Sequence, residues 1–295
     1  MENQAYKATP EVALSLVICS KNRAASLARC FEHIRQNRPA FKWELILVDN
    51  GSTDNTRDVM LAFIESLDVP AKYIYEAKRG NGAGRNTAIE QCRGEIIAFT
   101  DDDCYLDSNF LTEVEKVFRD PQLGYMSGRI MLFDKTDMPV TINESLDSYM
   151  VGESEIAPGG LVQGANMAFR KKAIVEAGMF DLVFGAGAVF AGEDWELAMR
   201  ISANGWKGGY FADPFVWHHH GRKADAAKKL LTFYWVGEGA VYAKGLLNKK
   251  MRPQVFRMML KALHLHEFWR HKRTLWHISA GFLKYMKIHL IGKTS

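Results

Sequence analysis

Three consecutive carboxylates, Asp101-Asp102-Asp103, directly follow the apolar stretch EIIAFT at residues 95–100. Like charges held this close raise one another's proton affinity, and packing gives no reason to collect them. A hard divalent cation relieves the repulsion, because Mg²⁺ and Mn²⁺ take carboxylate oxygens and share their remaining positions with phosphate and water. The competing reading is a solvated acidic turn that caps a helix starting near Ser108. Farther along, Gly192-Glu193-Asp194-Trp195-Glu196-Leu197 opens a segment with Trp195, Met199 and Ser202 on one helical face and Leu197 and Ile201 on another. Acids at a helix start ordinarily complement its dipole. Here they lie between Gly185-Ala186-Gly187 and the triplet His218-His219-His220, and imidazole is the commonest transition-metal ligand. On an extended stretch alternate side chains point to opposite faces, so at most two of those histidines can serve one ion.

Gly80-Asn81-Gly82-Ala83-Gly84-Arg85-Asn86 is a glycine-rich turn entering a helix. Such a turn can offer backbone N–H groups to phosphate, or it can be a flexible loop. Arg85 stands where GxGxxG needs its third glycine, and no GxxxxGK[ST] occurs, so neither a dinucleotide fingerprint nor a P-loop is present.

The elements that carry these groups alternate. Residues 12–19 (VALSLVIC) form a near-continuous apolar run, as in a strand buried on both faces. Leu27, Phe31 and Ile34 then recur at helical spacing up to Pro39. Strands follow at 44–49, 72–75 and 95–100, with helices around 59–64 and 83–91. This order predicts a mostly parallel sheet flanked by helices. In such sheets ligands bind beyond the carboxyl ends of the strands, where this chain places Cys19-Ser20-Lys21-Asn22-Arg23, Asp49-Asn50-Gly51-Ser52-Thr53-Asp54 and the acidic triplet.

Composition bounds the class. The 295 residues are 47% hydrophobic and 24% charged, inside the globular range and outside the disordered and collagen-like ones. Cys19, Cys30, Cys92 and Cys104 form no CxxC pair, so a disulfide framework and a zinc knuckle are poorly supported and a reducing compartment is expected. Met1 is followed by Glu2, Asn3 and Gln4 rather than a basic and then apolar stretch, so a cytoplasmic location is expected. The net charge of +4 hides an asymmetry: residues 223–295 hold 15 Lys+Arg against 3 Asp+Glu, or +12, leaving −8 for residues 1–222. The expected domains are an arm at 1–10, a catalytic domain at 11–222 and a basic amphipathic helical extension at 223–295.

In that extension Val255, Met258, Ala262, Leu265 and Trp269 recur at helical spacing after Pro253. Leu275, Ile278, Phe282, Tyr285 and His289 repeat the pattern among Lys272, Arg273, Lys284 and Lys287. Such helices either lie on an anionic membrane surface or pack on the catalytic domain with a solvated basic face. Nucleic acid is not an expected partner, because no recognition motif accompanies the charge.

Seven segments in this order, LSLVICSKNR, ELILVDNGSTDNT, RGNGAGRNTAIE, GEIIAFTDDDC, LVQGANMAFRKKAIVEAGMFD, AGEDWELAMR and DPFVWHHH, resemble glycosyltransferase family 2 over residues 12–220. These are inverting, nucleotide-sugar-dependent enzymes with the GT-A fold, an α/β, Rossmann-like arrangement. The resemblance implies that Asp49 holds the nucleotide base, with Cys19, Asn22 and Arg23 beside it. It implies donor contacts from Arg79 or Arg85 and from Asp101 and Asp102, a Mn²⁺ or Mg²⁺ ion on Asp103 and His218, and Asp194 as general base. A register error of one among the three aspartates, and among the three histidines, stays open. The implied donor is a UDP-sugar and the acceptor a glycan or a lipid-linked glycan, which would suit a peripheral position on the inner face of the cytoplasmic membrane. Two other readings compete: a nucleotidyltransferase, which leaves the Asp194 and His218 segments unexplained, and a non-catalytic membrane-docking protein that retains the fold.

Overall fold

The computed structural model describes residues 12–152, 155–264 and 272–291. The expected arm at 1–10, and Leu265 and Trp269 of the tail pattern, lie outside the described residues. The alternation read from the sequence appears as β1 (Leu14–Ser20), α1 (Ala24–Gln36), β2 (Trp43–Asp49), α2 (Thr56–Glu65), β3 (Ala71–Tyr75), α3 (Asn81–Gln91) and β4 (Ile96–Asp101). It continues through β5 (Cys104–Leu106), α4 (Phe110–Val117), β6 (Leu123–Leu132), β7 (Tyr149–Val151), β8 (Met167–Arg170), α5 (Lys171–Glu176), α6 (Glu193–Ala203) and β9 (Lys207–His218). Helices α7 (Ala224–Leu247), α8 (Arg252–His264) and α9 (Lys272–Ile291) follow.

All nine strands form one sheet in the order β3-β2-β1-β4-β8-β6-β9-β5, with β7 also on β9. From β3 to β4 every pairing is parallel, as the helical crossovers require. Beyond β4 the sheet is mixed: β8 runs antiparallel to β4 and β6, β9 runs parallel to β6, and β5 and β7 run antiparallel to β9. The parallel expectation thus holds for the half of the sheet whose strands the alternation could reveal.

The period-2 geometry of β1 explains its unbroken apolar run. Leu14, Leu16 and Ile18 pack with Leu27, Phe31 and Ile34 of α1 on one face of the sheet. Val17 faces the other core, with Ala88 and Ile89 of α3 and Leu197 and Met199 of α6. Both faces of α6 noted in the sequence are buried, and so is Glu196, whose carboxylate pairs with Arg200 at 2.7 Å and with Lys244 of α7 at 2.6 Å.

Helix α7 lies within the helical extension expected at 223–295, although neither of the two apolar patterns noted there falls on it. Its 24 residues are apolar around the circumference and carry Gly237, Gly239 and Gly245, which read as breakers. In the structure these glycines are contact points. A methyl at Gly237 would run into the backbone of Ala191, one at Gly239 into the Ile278 carbonyl of α9, and one at Gly245 into the Val255 side chain of α8. Each glycine costs about 1 kcal/mol of helix propensity relative to alanine, which the close approach of backbones offsets. The segment after residue 222 is therefore packed onto the rest of the chain rather than appended to it. No described helix is long and apolar enough to cross a membrane.

Replacing Gly239 by Ala is expected to force α7 and α9 apart and to cost about 1–3 kcal/mol. A lower urea midpoint with an unchanged slope would be the signature.

Candidate functional site

Strand β4 ends at Asp101, and only two residues separate it from β5. That short strand pairs antiparallel with the end of β9, setting Cys104 opposite His218, and the His219 N–H donates to the Asp103 carbonyl at 2.9 Å. The register brings His218 Nε2 to 3.3 Å from Asp103 Oδ1. One ligand atom from each of Asp101, Asp103, Cys104 and His218 lies within 4.8 Å of the others. Asp102 turns away from this group: it accepts hydrogen bonds from the Ser20 hydroxyl and, at 3.1 Å, from Arg23 Nε. Arg23 Nη2 also donates to Asp103 Oδ2 at 2.7 Å.

Burial raises the carboxyls of Asp101 and Asp102, the latter to about 6 against the pull of Ser20 and Arg23. Burial pushes Asp103 the same way, but its hydrogen bond and charge contact with His218, together with Arg23, outweigh it and hold the group below the usual range. Burial drives the Cys104 thiol far above its ordinary value, and sulfur is a soft donor that suits a hard cation less well than oxygen does. Two carboxylates and an imidazole remain, a donor set that fits Mn²⁺ or Mg²⁺. His218 Nδ1 is buried with no hydrogen-bond partner among the described residues.

Asp194 sits in the first turn of α6, after Gly192 in the left-handed region at φ 96°. Its Oδ1 accepts the Trp195 N–H at 2.8 Å and its Oδ2 the Gly164 N–H at 2.9 Å. The loop that supplies Gly164 is anchored on both sides. Thr100 donates to the Ala165 carbonyl at 2.8 Å, and Asn166 donates to the Arg129 and Pro214 carbonyls at 2.9 and 3.0 Å, where the β6–β9 register slips. Burial and the neighbouring Glu193 charge push Asp194 up to about 7, against the two N–H groups and Arg85.

Arg85 is 2% exposed. It donates to Glu193 at 3.0 Å, approaches Asp101 at 3.5 Å and lies over the rings of Phe99 and Phe180. One buried cation thereby joins the end of β4 to the start of α6.

Asp101, Arg85, Asp194 and His218 all line one cavity of about 550 Å³. Its wall also includes Arg222, Tyr234, Trp235 and Glu238, which the sequence reading missed. Arg222 follows the histidine triplet after one residue, Gly221, a position that could have signalled it. The α7 residues were not singled out, because the patterns noted in the helical extension begin in α8 and α9.

The other expected residues lie outside the cavity lining. Asp49 is buried at the end of β2, accepting the Ser52 N–H at 2.7 Å and the Tyr73 hydroxyl at 3.1 Å. Asn22, at φ 54°, clasps the same loop, accepting the Thr53 N–H at 2.7 Å and donating its own N–H to Ser52 Oγ at 2.9 Å. Cys19, next to the last residue of β1, lies beside Gly84, with its thiol pushed up to about 12 by burial. Arg79 is exposed on the loop before α3. Of the three histidines, His219 meets the Tyr105 hydroxyl at 2.8 Å and His220 accepts the Arg222 N–H at 3.0 Å beside Asp137. His218 alone joins the acids.

Residues 15–177 match the family model described as glycosyl transferase family 2. The chain is 27% identical over 170 residues to glycosyltransferase AglE of Haloferax volcanii, covering 57% of this chain and 55% of that protein. It is 28% identical over 217 residues to the pre-mycofactocin glycosyltransferase of Mycobacterium tuberculosis, covering 70% of this chain and 43% of the relative. The chain thus spans about half of these relatives' lengths. Among solved structures, the mannosyltransferase PcManGT from Pyrobaculum calidifontis, in complex with GDP-Man and Mn²⁺, superposes with a TM-score of 0.65 at 20% identity, covering 93% of this chain and 76% of that one. S. aureus TarS 1–349 in complex with UDP-GlcNAc gives 0.62 at 15% identity, covering 88% and 72%. The fold is that of the GT-A glycosyltransferases. The chain belongs to glycosyl transferase family 2.

Breaking the buried pair from one side should be costly. Arg85→Met leaves Glu193 and Asp101 uncompensated, and the expected loss is about 3–5 kcal/mol. Adding Glu193→Gln to that variant should return part of it, a coupling that a double-mutant cycle in urea would read.

Proposed function

We propose that this chain transfers a sugar from a nucleoside diphosphate, with inversion, to a hydroxyl of a glycan or lipid-linked glycan. The observation that carries the reading is the placement of Asp194, its carboxyl raised to about 7, in the same cavity as the Asp101 and His218 side chains of a cation site. UDP is the proposed carrier. The structural relatives hold UDP-GlcNAc in one case and GDP-Man with Mn²⁺ in another, which makes GDP the alternative.

A hydroxyl is a poor nucleophile until a positioned base takes its proton. In this reading Asp194 Oδ2, steadied by the Gly164 N–H, receives that proton. The hydroxyl oxygen bonds to the anomeric carbon, while the bond from that carbon to the phosphate oxygen breaks and the diphosphate departs with the electron pair. One base on the face opposite the leaving group gives inversion. A divalent cation held by Asp101, Asp103 and His218 would, when bound, supply Lewis-acid stabilisation of the leaving diphosphate. Arg222, on the same cavity wall, adds a protein cation at that end.

The proposal extends to a peripheral position on the inner face of the cytoplasmic membrane. The stripe noted in the tail sequence faces inward: Ile278 and Phe282 back onto α7 and Tyr285 is buried. Other residues form the outer face. Phe256 of α8 and Trp276 and Leu283 of α9 are each more than half exposed. They stand among exposed Arg252, Arg257, Lys272, Arg273, Lys284 and Lys287, and neither helix contains an acid. Apolar anchors among basic side chains suit the headgroup region of an anionic bilayer.

Asp194→Asn is expected to keep the rise in melting temperature that UDP with Mn²⁺ gives the wild type, while transfer falls about 10²–10⁴-fold. Because the carboxyl of Asp194 is raised, by burial and Glu193 with Arg85 opposing, the base is protonated and idle below its pKa. Wild-type kcat/KM should therefore fall as pH drops through about 7. Unchanged turnover in the variant removes Asp194 from the chemistry.

Cosedimentation with phosphatidylglycerol-containing vesicles should be strong at low salt. It should weaken as salt approaches about 1 M, where the screening length is about 3 Å. Trp276→Ser with Leu283→Ser should reduce it further, and a protein that ignores such vesicles at low salt is not a membrane-docking one.

A further inference from the structure

Helix α7 presents Leu231, Tyr234, Trp235 and Glu238 to the cavity, at the i, i+3, i+4, i+7 spacing of one helical face. Glu238 is unusual there: Asp225 in the first turn is the only other acid of the helix, so Glu238 is a carboxylate placed in the middle of an apolar span. Its Oε1 accepts the Tyr242 hydroxyl at 2.9 Å, and its Oε2 has no hydrogen-bond partner among the described residues. Tyr242 meets the Trp195 ring edge-on with centroids 5.6 Å apart. Trp195 is locked in turn by its indole N–H on the Ala157 carbonyl at 2.7 Å, and it is the neighbour of Asp194 in α6. The spacing between Glu238 and the base is thereby set through two interlocked rings. Trp235 is braced as well, stacked on His277 of α9 with centroids 6.0 Å apart and planes 24° apart.

Arg222, Asp101 and His218 line the cavity, a set suited to a diphosphate. The face of α7 offers a carboxylate oxygen, and the 160–164 loop offers Gln163 Oε1, buried without a partner among the described residues. Lone acceptors repel phosphate and pair with hydroxyl donors. A braced indole supplies the apolar platform that the C–H face of a sugar ring packs on.

We infer that this face of α7 is the acceptor subsite, receiving a pyranose whose ring lies against Trp235 and whose hydroxyls donate to Glu238 and Gln163. The inference rests on the transfer reading above, for which it names the chemistry of the second substrate and the residues that select it. Burial keeps the carboxyl of Glu238 above its ordinary value, against the Tyr242 hydrogen bond, as expected of a group that desolvation has prepared to accept hydroxyl protons in hydrogen bonds.

The test uses the full chain with UDP-sugar and Mn²⁺, and octyl glucoside, octyl galactoside and octyl N-acetylglucosaminide as probes. Saturation-transfer NMR in the presence of UDP and Mn²⁺ should label the ring protons of at least one glycoside. Glu238→Gln should raise the KM for that glycoside about tenfold or more, as for a lost charged hydrogen bond, with kcat changed far less and UDP affinity retained. Trp235→Ala should do the same, and Trp235→Phe should recover most of the loss, which a merely structural role would not produce. If truncation at 235 unfolds the chain, Trp235→Phe and Glu238→Gln still decide the matter. An unmoved acceptor KM in both, or no saturation transfer to any of the three glycosides, overturns the subsite while donor consumption leaves the transfer reading standing. A wild-type chain that binds neither UDP nor GDP overturns both.

Discussion

Arg85 carries a charge almost wholly out of water, and such a charge is tolerable only when it is paired and hydrogen-bonded. Its partners come from distant parts of the chain: Asp101 from the end of β4 and Glu193 from the first turn of α6. Satisfying one guanidinium therefore draws together the two segments that bear the candidate cation site and the proposed base. The aromatic rings of Phe99 and Phe180 close around it, so the pair cannot relax into solvent. The distance across the cavity follows from this one electrostatic requirement, and the 164–166 loop, held by Thr100 and pinned through Asn166 to the Arg129 and Pro214 carbonyls, sets the orientation of Asp194 within it.

The C-terminal helices continue that logic by packing. Small residues let α7 lie directly on the Ala191 backbone and on α9, which turns a segment of high positive charge into a wall of the cavity. The same segment has two working sides. Its inner side is built by glycine contacts and by rings that brace one another, while its outer side keeps Trp276 and Leu283 in solvent among lysines.

Much of this was legible beforehand because it depends on local periodicity. The buried strands β1, β2 and β4, the helices between them and the polar groups at their ends all follow from apolar runs and spacing, whereas the choice of Asp103, His218 and Asp194 within their clusters is what the family resemblance implies. What decides among neighbours is long-range register. Whether Asp102 or Asp103 faces His218 depends on a pairing of Cys104 with His218 that no local pattern announces. Arg85 differs from Arg79 only in being enclosed by residues about a hundred positions away. Helix α7 was expected only as part of a helical extension, because its charged residues do not gather on one side to mark a period and its glycines resemble loop residues until their packing partners are known. The antiparallel half of the sheet escaped for a related reason, since its strands meet without the helical crossovers that reveal parallel neighbours.

Strand β5 is three residues long and lies at the rim of the sheet, held there by its pairing with the end of β9. Its three side chains are nonetheless buried, with Cys104 and Leu106 in the core that α1 covers. Asp103 immediately precedes this strand and His218 pairs with its first residue, whereas Arg85 is buried with Glu193 at the start of α6. The two halves of the cavity are therefore held by different means, one by a short edge pairing and the other by a buried charge pair. A cation on Asp101, Asp103 and His218 would tie the end of β4 to the end of β9, adding a cross-link beside that three-residue pairing.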